Sequence, residues 1–153
     1  MDGVDGDSGY SRIVVGVDGS AASVQALRHA VRIGVKFQSR VEAICVWSYP
    51  VAYTPLPPYW RPDQDAQVTV DDAAAQVFGD QVPAWFTGSV RSGSPAPVLI
   101  AESASADLLA VGGRGHGGFA GLLLGSVSSQ CAEHSHCPVL VVHGAADDRR
   151  GRT

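Results

Sequence analysis

Two segments of the sequence combine residues that suit the binding of a negatively charged group. One runs from Gly112 to Ser126 and is rich in glycine, so it offers backbone N–H groups without side chains in the way. A helix is expected to begin at Ser126, where the N–H groups and the helix dipole attract anions. The other segment carries Asp18, a carboxylate that could hold a divalent cation beside phosphate oxygens. Glycines after a strand also make tight turns, and Ser126 also suits a helix cap.

The positive charge at such a site would not come from a lysine. Lys36 is the only lysine and follows no glycine-rich loop, so the phosphate-loop pattern of kinases and GTPases is absent. Arg114, His116 and a divalent cation are the remaining candidates. The sequence contains no Gly-x-Ser-x-Gly elbow, so nucleophilic serine catalysis is not indicated.

A second group, near the C-terminus, contains four potential zinc ligands: Cys131, His134, His136 and Cys137. A structural zinc site needs four ligands that converge tetrahedrally. The helix must end near His136 so that Pro138 can begin a buried strand, and the four side chains then need not converge. We therefore interpret this group as a helix end with buried thiols.

The elements that would position these residues alternate between strand and helix. Apolar, β-branched runs predict parallel strands at 13–18, 41–47, 85–91, 107–112 and 138–143. Helices are predicted after Ser20, at about 67–78, after Ser94, and from Ser126 to about His134. Five prolines between 48 and 65 predict a loop there, followed by a short second helix. This alternation predicts a doubly wound parallel α/β sheet.

Length and composition place these elements in one domain. The chain has 153 residues, of which 45% are hydrophobic and 17% charged, enough for one core. We expect a disordered leader over 1–11, a folded domain over 12–143 and a flexible charged tail over 144–153. A net charge of −4 argues against nucleic acid or a membrane surface as partner, and no apolar run has the length of a membrane span. Three cysteines and the lack of a signal-peptide pattern favour the cytoplasm.

The glycine spacing resembles that of a known family. Gly112 and Gly115, with two residues between them, are followed after nine further residues by Gly125 and Ser126, which is the pattern of the ATP-binding, UspA-like universal stress proteins. The stretches IVVGVDGS and HCPVLVV also resemble that family, so the similarity covers roughly residues 11–143. The resemblance implies a single five-stranded parallel sheet in the order 3-2-1-4-5 with about four helices, similar to the adenine nucleotide alpha hydrolases. The ends of the first and fourth strands would then lie side by side.

The resemblance also implies a role for each matching residue. Asp18 would approach the ribose and hold Mg²⁺ or Mn²⁺, and Val46 would present main-chain groups to adenine. Gly16 and Val17 would leave room for the nucleoside. The ribose and phosphates of ATP would be wrapped by Gly112, Gly115, Gly125, Ser126 and Val127, with Arg114, His116, Gly117 and Ser128 as second-rank candidates. A homodimer through the fifth strand, residues 138–143, is implied as well, because it would cover an apolar strand edge.

Three functions follow from the resemblance. The first is an ATP-binding regulator of stress or dormancy responses with at most weak enzymatic activity, since no side chain of the motif is an evident general base. The second is slow ATP hydrolysis by metal-activated water near His116. The third is a dimeric scaffold, against which the intact motif argues. Main-chain recognition of the base discriminates only modestly, so AMP, ADP or cyclic AMP are alternatives to ATP. The aromatic, proline-rich segment 48–65 could cover the base, contact a partner or have no specific role.

Overall fold

The computed structural model describes residues 9–49, 57–114 and 124–144. These ranges form nine elements in the order β1 (Arg12–Gly16), α1 (Ala21–Phe37), β2 (Arg40–Trp47), α2 (Pro62–Phe78), β3 (Phe86–Ser92), α3 (Pro95–Ser103), β4 (Leu108–Gly112), α4 (Ser126–His134) and β5 (Val139–Val142). All neighbouring strands are parallel, and their order in the sheet is β3-β2-β1-β4-β5. The predicted doubly wound sheet, its strand order and its four helices are confirmed. No helix in the described ranges is both long and apolar enough to cross a membrane.

The second helix is longer than predicted. α2 begins at Pro62 and has 17 residues, as many as α1. Proline is tolerated in the first turn of a helix because the N–H there has no partner within the helix. Asp63 and Asp65 favour the same end through the helix dipole. The prediction of a loop to residue 65, followed by a short helix, was therefore wrong. It assumed that Pro62 interrupts a helix, whereas Pro62 begins one.

The folded domain also begins earlier than predicted. The ring of Tyr10 packs edge to face against Phe37 with centroids 5.0 Å apart, and its carbonyl accepts a hydrogen bond from the Ser39 hydroxyl. The backbone N–H of Ser11 donates to Asp107 Oδ2 at 2.9 Å. Tyr10 and Ser11 therefore belong to the domain and not to a leader that extends to residue 11. Residues 1–8 lie outside the described ranges.

The two faces of the sheet pack against different pairs of helices. Alternate residues of a strand point to opposite faces, so Ile13 and Val15 of β1 face α1 and α2, whereas Val14 faces α3 and α4. The central residues of β1 and β4 are buried, which explains the unbroken apolar runs in their sequences. The winding direction reverses between β1 and β4, and in such sheets ligands bind at that point, outside the carboxyl ends of the strands.

A charged network covers the sheet near β3, on the face that α3 and α4 share. A guanidinium nitrogen of Arg12 lies 2.6 Å from Glu42 and 3.1 Å from Glu102, and Arg91 bonds the other oxygen of each carboxylate at 3.3 and 3.2 Å. Burial alone would raise the pKa of Glu42, but hydrogen bonds from Ser89 and Arg12 and the charges of both arginines lower it. Every charge in this network therefore has an opposite partner.

Gly88 of β3 allows α2 to lie close to the sheet, because a Cβ at this position would collide with Cγ1 of Val70. We expect Gly88→Ala to lower the free energy of unfolding by about 1–3 kcal/mol, as overpacking of a core does. Urea denaturation measures the change. Adding Val70→Ala removes the colliding methyl group, so the double variant should lose less stability than the sum of the two single variants. Strictly additive losses would contradict this contact.

Candidate functional site

The chain turns sharply where β1 ends, at the central strand of the sheet. Gly19 has a φ of 86°, in the left-handed region that favours glycine. The N–H of Ser20 donates to Asp18 Oδ1 at 2.9 Å, so the exposed carboxylate bends back over its own turn. The hydroxyl of Ser20 accepts from the N–H of Ser23 at 3.2 Å, which confirms that a helix starts after Ser20 with this residue as its cap.

The two residues before Asp18, Gly16 and Val17, both contribute to packing inside the domain. Val17 is 3% exposed and belongs to the core beneath α1 and α2. A Cβ on Gly16 would lie 2.6 Å from Cδ1 of Leu99 in α3. The missing side chain of Gly16 thus makes room for α3, and the side chain of Val17 fills the core. Any contribution of these two residues to a ligand site has to come from their backbone.

β2 extends beyond the end of β1. Gly16, the last residue of β1, pairs with Ile44, whereas β2 continues to Trp47. The carbonyl of Ile44 accepts from the N–H of Val17 at 2.9 Å, on the β1 side. Backbone groups of alternate residues in a parallel strand point to the same neighbour, so the N–H and C=O of Val46 also face the β1 side. They lie beyond the last residue of β1 and form an edge that offers one donor and one acceptor.

The end of β4 is bonded directly to the start of α4. The carbonyl of Gly113 accepts from the N–H of Gly125 at 2.7 Å and from the hydroxyl of Ser128 at 2.7 Å. Ser128 is buried, and its hydroxyl also lies 3.1 Å from the carbonyl of Gly125. The hydroxyl of Ser128, a second-rank ligand candidate, therefore holds α4 onto β4.

The start of α4 differs from the starts of the other three described helices. Gly125 is its N-cap residue, so no capping side chain can accept from the first N–H groups, and Ser126 is the exposed first residue of the helix. The alternative that Ser126 is the cap is therefore wrong. α1 is capped by the side chain of Ser20, while α2 and α3 each begin with a proline, which has no N–H. Among these helix starts, that of α4 best suits an external anion. Val127 packs its side chain against the core shared with α3.

Gly112 is required by the packing of α1. A Cβ at this position would lie 2.8 Å from the carbonyl carbon of Ala22 and 2.8 Å from the nitrogen of Ser23, in the first turn of α1. The glycine lets the end of β4 approach the segment that follows β1, so these strand ends lie side by side as predicted. Arg114 stands at the limit of a described range, and Gly115, His116 and Gly117 lie outside the described residues.

The thiols contribute no reactive group to this edge. Burial and, to a smaller extent, the carboxylate of Asp18 raise the pKa of Cys45 to about 11, so this thiol stays protonated at neutral pH. Cys131, in the group with zinc-ligand residue types, is fully buried in the core, and α4 ends at His134. Within the described ranges, no three His, Cys, Asp or Glu side chains converge as metal ligands would.

An aromatic stack lies where β2 leaves the sheet. Trp47, Tyr49 and Trp60 pack edge to face with ring centroids 5.6 and 6.0 Å apart, and the indole N–H of Trp60 donates to Asp65 at 3.1 Å. The stack joins the end of β2 to the first turn of α2. Residues 50–56 of the proline-rich segment lie outside the described ranges.

A parallel sheet in the order β3-β2-β1-β4-β5 with helices on both faces defines a doubly wound α/β protein. Within that class, residues 9–143 match the model of the universal stress protein family, and the chain belongs to this family. Universal stress protein MJ0531 of Methanocaldococcus jannaschii is 32% identical over 143 residues, which cover 90% of this chain and 84% of that protein. Universal stress protein Rv2623 of Mycobacterium tuberculosis is 34% identical over 140 residues, which cover 86% of this chain. The chain spans about half the length of such mycobacterial relatives, 47% in the case of Rv2623.

Solved structures agree with the family assignment. The crystal structure of a universal stress protein in complex with cAMP has a TM-score of 0.67 and 27% sequence identity to this chain. The similarity covers 90% of this chain and 99% of that one. The sheet order and the helices described above are therefore those of the family.

The contact between Gly112 and α1 can be tested with a matched pair of variants. We expect Gly112→Ala to lower the free energy of unfolding by about 1–3 kcal/mol, because the atoms that its Cβ meets belong to the backbone. Gly113→Ala is the control, since its Cβ would lie 3.1 Å from the exposed imidazole of His143, which can rotate away. Thermal denaturation measures both variants. Equal losses of stability would show that Gly112 has no special packing role.

Proposed function

We propose that this chain binds an adenine nucleotide, with ATP as the preferred ligand, at the carboxyl ends of β1, β2 and β4. One observation carries the proposal: the backbone edge at Val46, the carboxylate of Asp18 and the start of α4 all border the switch point of the sheet. The related structure in complex with cAMP supports an adenine nucleotide as ligand of this fold. The spacing of Gly112, Gly115, Gly125 and Ser126, typical of the ATP-binding members, favours ATP.

The backbone edge at Val46 suits adenine better than guanine. Adenine carries an amino donor next to a ring nitrogen that accepts, which matches one backbone carbonyl and one N–H group. Guanine presents a carbonyl next to a ring N–H, the reverse arrangement. Because the edge is made of main-chain groups, it would read the base and leave the number of phosphates to other parts of the site.

The phosphates would lie at the start of α4. With a glycine at the N-cap, the N–H groups of the first turn can donate to phosphate oxygens, and the helix dipole adds a favourable field. Ser126, exposed at the first helical position, adds a hydroxyl. Gly115, His116 and Gly117 would complete this cradle, and Arg114 would stand beside it.

Asp18 is the residue that would hold Mg²⁺ or Mn²⁺. Its carboxylate is exposed at the strand end and is oriented by the N–H of Ser20. Mg²⁺ takes most of its ligands from phosphate oxygens and water, so one carboxylate beside bound phosphates is enough to hold it. When bound, the cation would supply the positive charge that no phosphate-loop lysine provides.

Binding without efficient turnover suits a nucleotide-dependent regulator of stress responses. Asp18 would be engaged by the metal, and Cys45 is protonated, so neither acts as a general base. The three free cysteines are compatible with a reducing compartment, and we place this role in the cytoplasm.

Calorimetric titration of the apo protein with ATP, cyclic AMP and GTP, each with Mg²⁺, tests the proposal. We expect ATP to bind at least about tenfold more tightly than GTP, because the reversed donor and acceptor of guanine leave backbone groups unpaired. Equal affinity for GTP would contradict the base site. Tighter binding of cyclic AMP would contradict the assignment of the phosphate cradle to ATP, and no binding at all would contradict the function.

The variant Asp18→Asn isolates the role of the metal. Asparagine keeps an oxygen that accepts from Ser20 and removes the negative charge. We expect the affinity for ATP to fall about tenfold in Mg²⁺, as for the loss of one charged contact, and to change little in EDTA. A loss of the same size with and without metal would remove Asp18 from the metal site.

We also propose that the chain forms a homodimer through β5. All four of its residues are apolar, and three of them are only partly buried at the edge of the sheet. Hydrogen bonds from β4 reach the carbonyls of Pro138 and Val142, so the backbone groups of Val139 and Val141, at alternate positions, point to the outer edge. A second copy of β5 could pair with these outward groups around a two-fold axis.

A single proline substitution tests the pairing of β5 with its copy without disturbing the sheet of one subunit. Val141→Pro removes an outward N–H and leaves the bonds between β4 and β5 in place, so we expect a folded monomer. Size-exclusion chromatography with light scattering measures the mass, and circular dichroism confirms the fold. Leu140→Pro, the control, removes an N–H that faces β4 and should destabilise the domain. A dimeric Val141→Pro variant, or a monomeric wild type, would refute the interface.

A further inference from the structure

The first turn of α1 is bonded to the turn that carries Asp18. Ser23 is buried, with 3% of its surface exposed. Its hydroxyl accepts from the N–H of Asp18 at 3.2 Å and donates to the carbonyl of Ser20 at 3.0 Å. Its own N–H donates to the hydroxyl of Ser20 at 3.2 Å. Three hydrogen bonds of one buried residue thus hold the turn from Asp18 to Ser20.

The preceding residue, Ala22, lies between two glycines, one at the end of β4 and one in the segment that follows β5. A Cβ on Gly112, at the end of β4, would lie 2.8 Å from the carbonyl carbon of Ala22. A Cβ on Gly144, two residues after β5, would collide with the nitrogen and Cα of Ala22. Gly144, predicted as the first residue of the tail, is therefore packed against α1. Because the contacting atoms belong to the backbone, the first turn of α1 cannot move toward Gly112 or Gly144 without displacing them.

We propose that Ser23 is a positioning residue for the nucleotide site. Ser23 bonds the turn at Asp18 to the first turn of α1. Ala22, in the same first turn of α1, packs against Gly112. The next residue, Gly113, is bonded to the start of α4. The chain of contacts sets the distance from the Asp18 carboxylate to the start of α4, a distance that metal-assisted binding requires to be fixed closely. This inference rests on the proposed function.

The molecule contains a matched control for Ser23. Ser103, at the end of α3, is also a buried serine whose hydroxyl has both hydrogen-bonding functions in use. It donates to the carbonyl of Ile100 at 2.6 Å and accepts from the N–H of His136 at 2.9 Å. The carboxyl end of α3 leads to the start of β4, so Ser103 lies near the edge of the sheet opposite the candidate site. Ser23→Ala and Ser103→Ala should therefore differ in ligand binding more than in stability.

Titration with MgATP and hydrogen exchange of the ligand-free protein test the inference. We expect Ser23→Ala to weaken MgATP binding about tenfold and to increase the exchange rate of the Asp18 amide, while Ser103→Ala keeps the wild-type affinity. Wild-type affinity in Ser23→Ala, or an equal loss in both variants, would overturn the positioning role. Failure of the wild type itself to bind would instead overturn the proposed function.

A second pair of variants keeps the test valid if Ser23→Ala does not fold. Ser23→Thr and Ser23→Val have the same shape, so the added methyl group strains both equally, but threonine alone keeps the hydroxyl. We expect MgATP to bind more tightly to Ser23→Thr than to Ser23→Val, with the difference reduced in EDTA. Equal affinities of the two variants would overturn the inference.

Discussion

The close approach between the end of β4 and the first turn of α1 determines the geometry of the polar edge of this protein. It is possible because Gly112 has no side chain, so the backbone of Ala22 and Ser23 lies where a Cβ would be. β1 and β4 pair side by side and are buried, so neither strand can slide to relieve a larger residue. The turn after β1 and the end of β4 are thereby brought together by packing.

The structure gives a different reason for two of the glycines near the candidate site than the sequence suggests. The glycines at 16 and 112 first suggest space for a ligand, but both have internal causes, namely α3 at Gly16 and α1 at Gly112. The features that favour this edge in the proposed function are the backbone groups of Val46, which lie beyond the last residue of β1, and the start of α4, which has no capping side chain. A chain with a net charge of −4 and one lysine would attract a polyanion through dipoles and a metal ion, and hardly through its overall field.

The sequence allowed the sheet to be predicted because its signals are local. Runs such as that of β4 are apolar at every position, and only a strand buried on both faces requires this. Pro62 misled the prediction of α2, since a proline can either end a helix or begin one, and the choice depends on the docking of Ala66 and Val70 beneath it. The overhang of β2 past β1 follows from the register of Gly16 and Ile44, which no single segment encodes. The sequence does not indicate the role of Ser23 beyond its spacing of three residues from Ser20. Its hydrogen bonds with the turn at Asp18 form only once the helix has formed.

The charged network beside β3 makes one side of the sheet responsive to acid. The lowered pKa of Glu42 means that its carboxylate favours the folded state at pH values above the ordinary pKa of glutamate. As the pH falls through the lowered value, Glu42 takes up a proton and its attraction for Arg12 and Arg91 is lost. Arg12 and Arg91 are then left with Glu102 as the one remaining acidic partner in this network. Because this pH lies below the ordinary pKa of glutamate, the network holds β1, β2 and β3 together at neutral and mildly acidic pH and weakens only in strong acid.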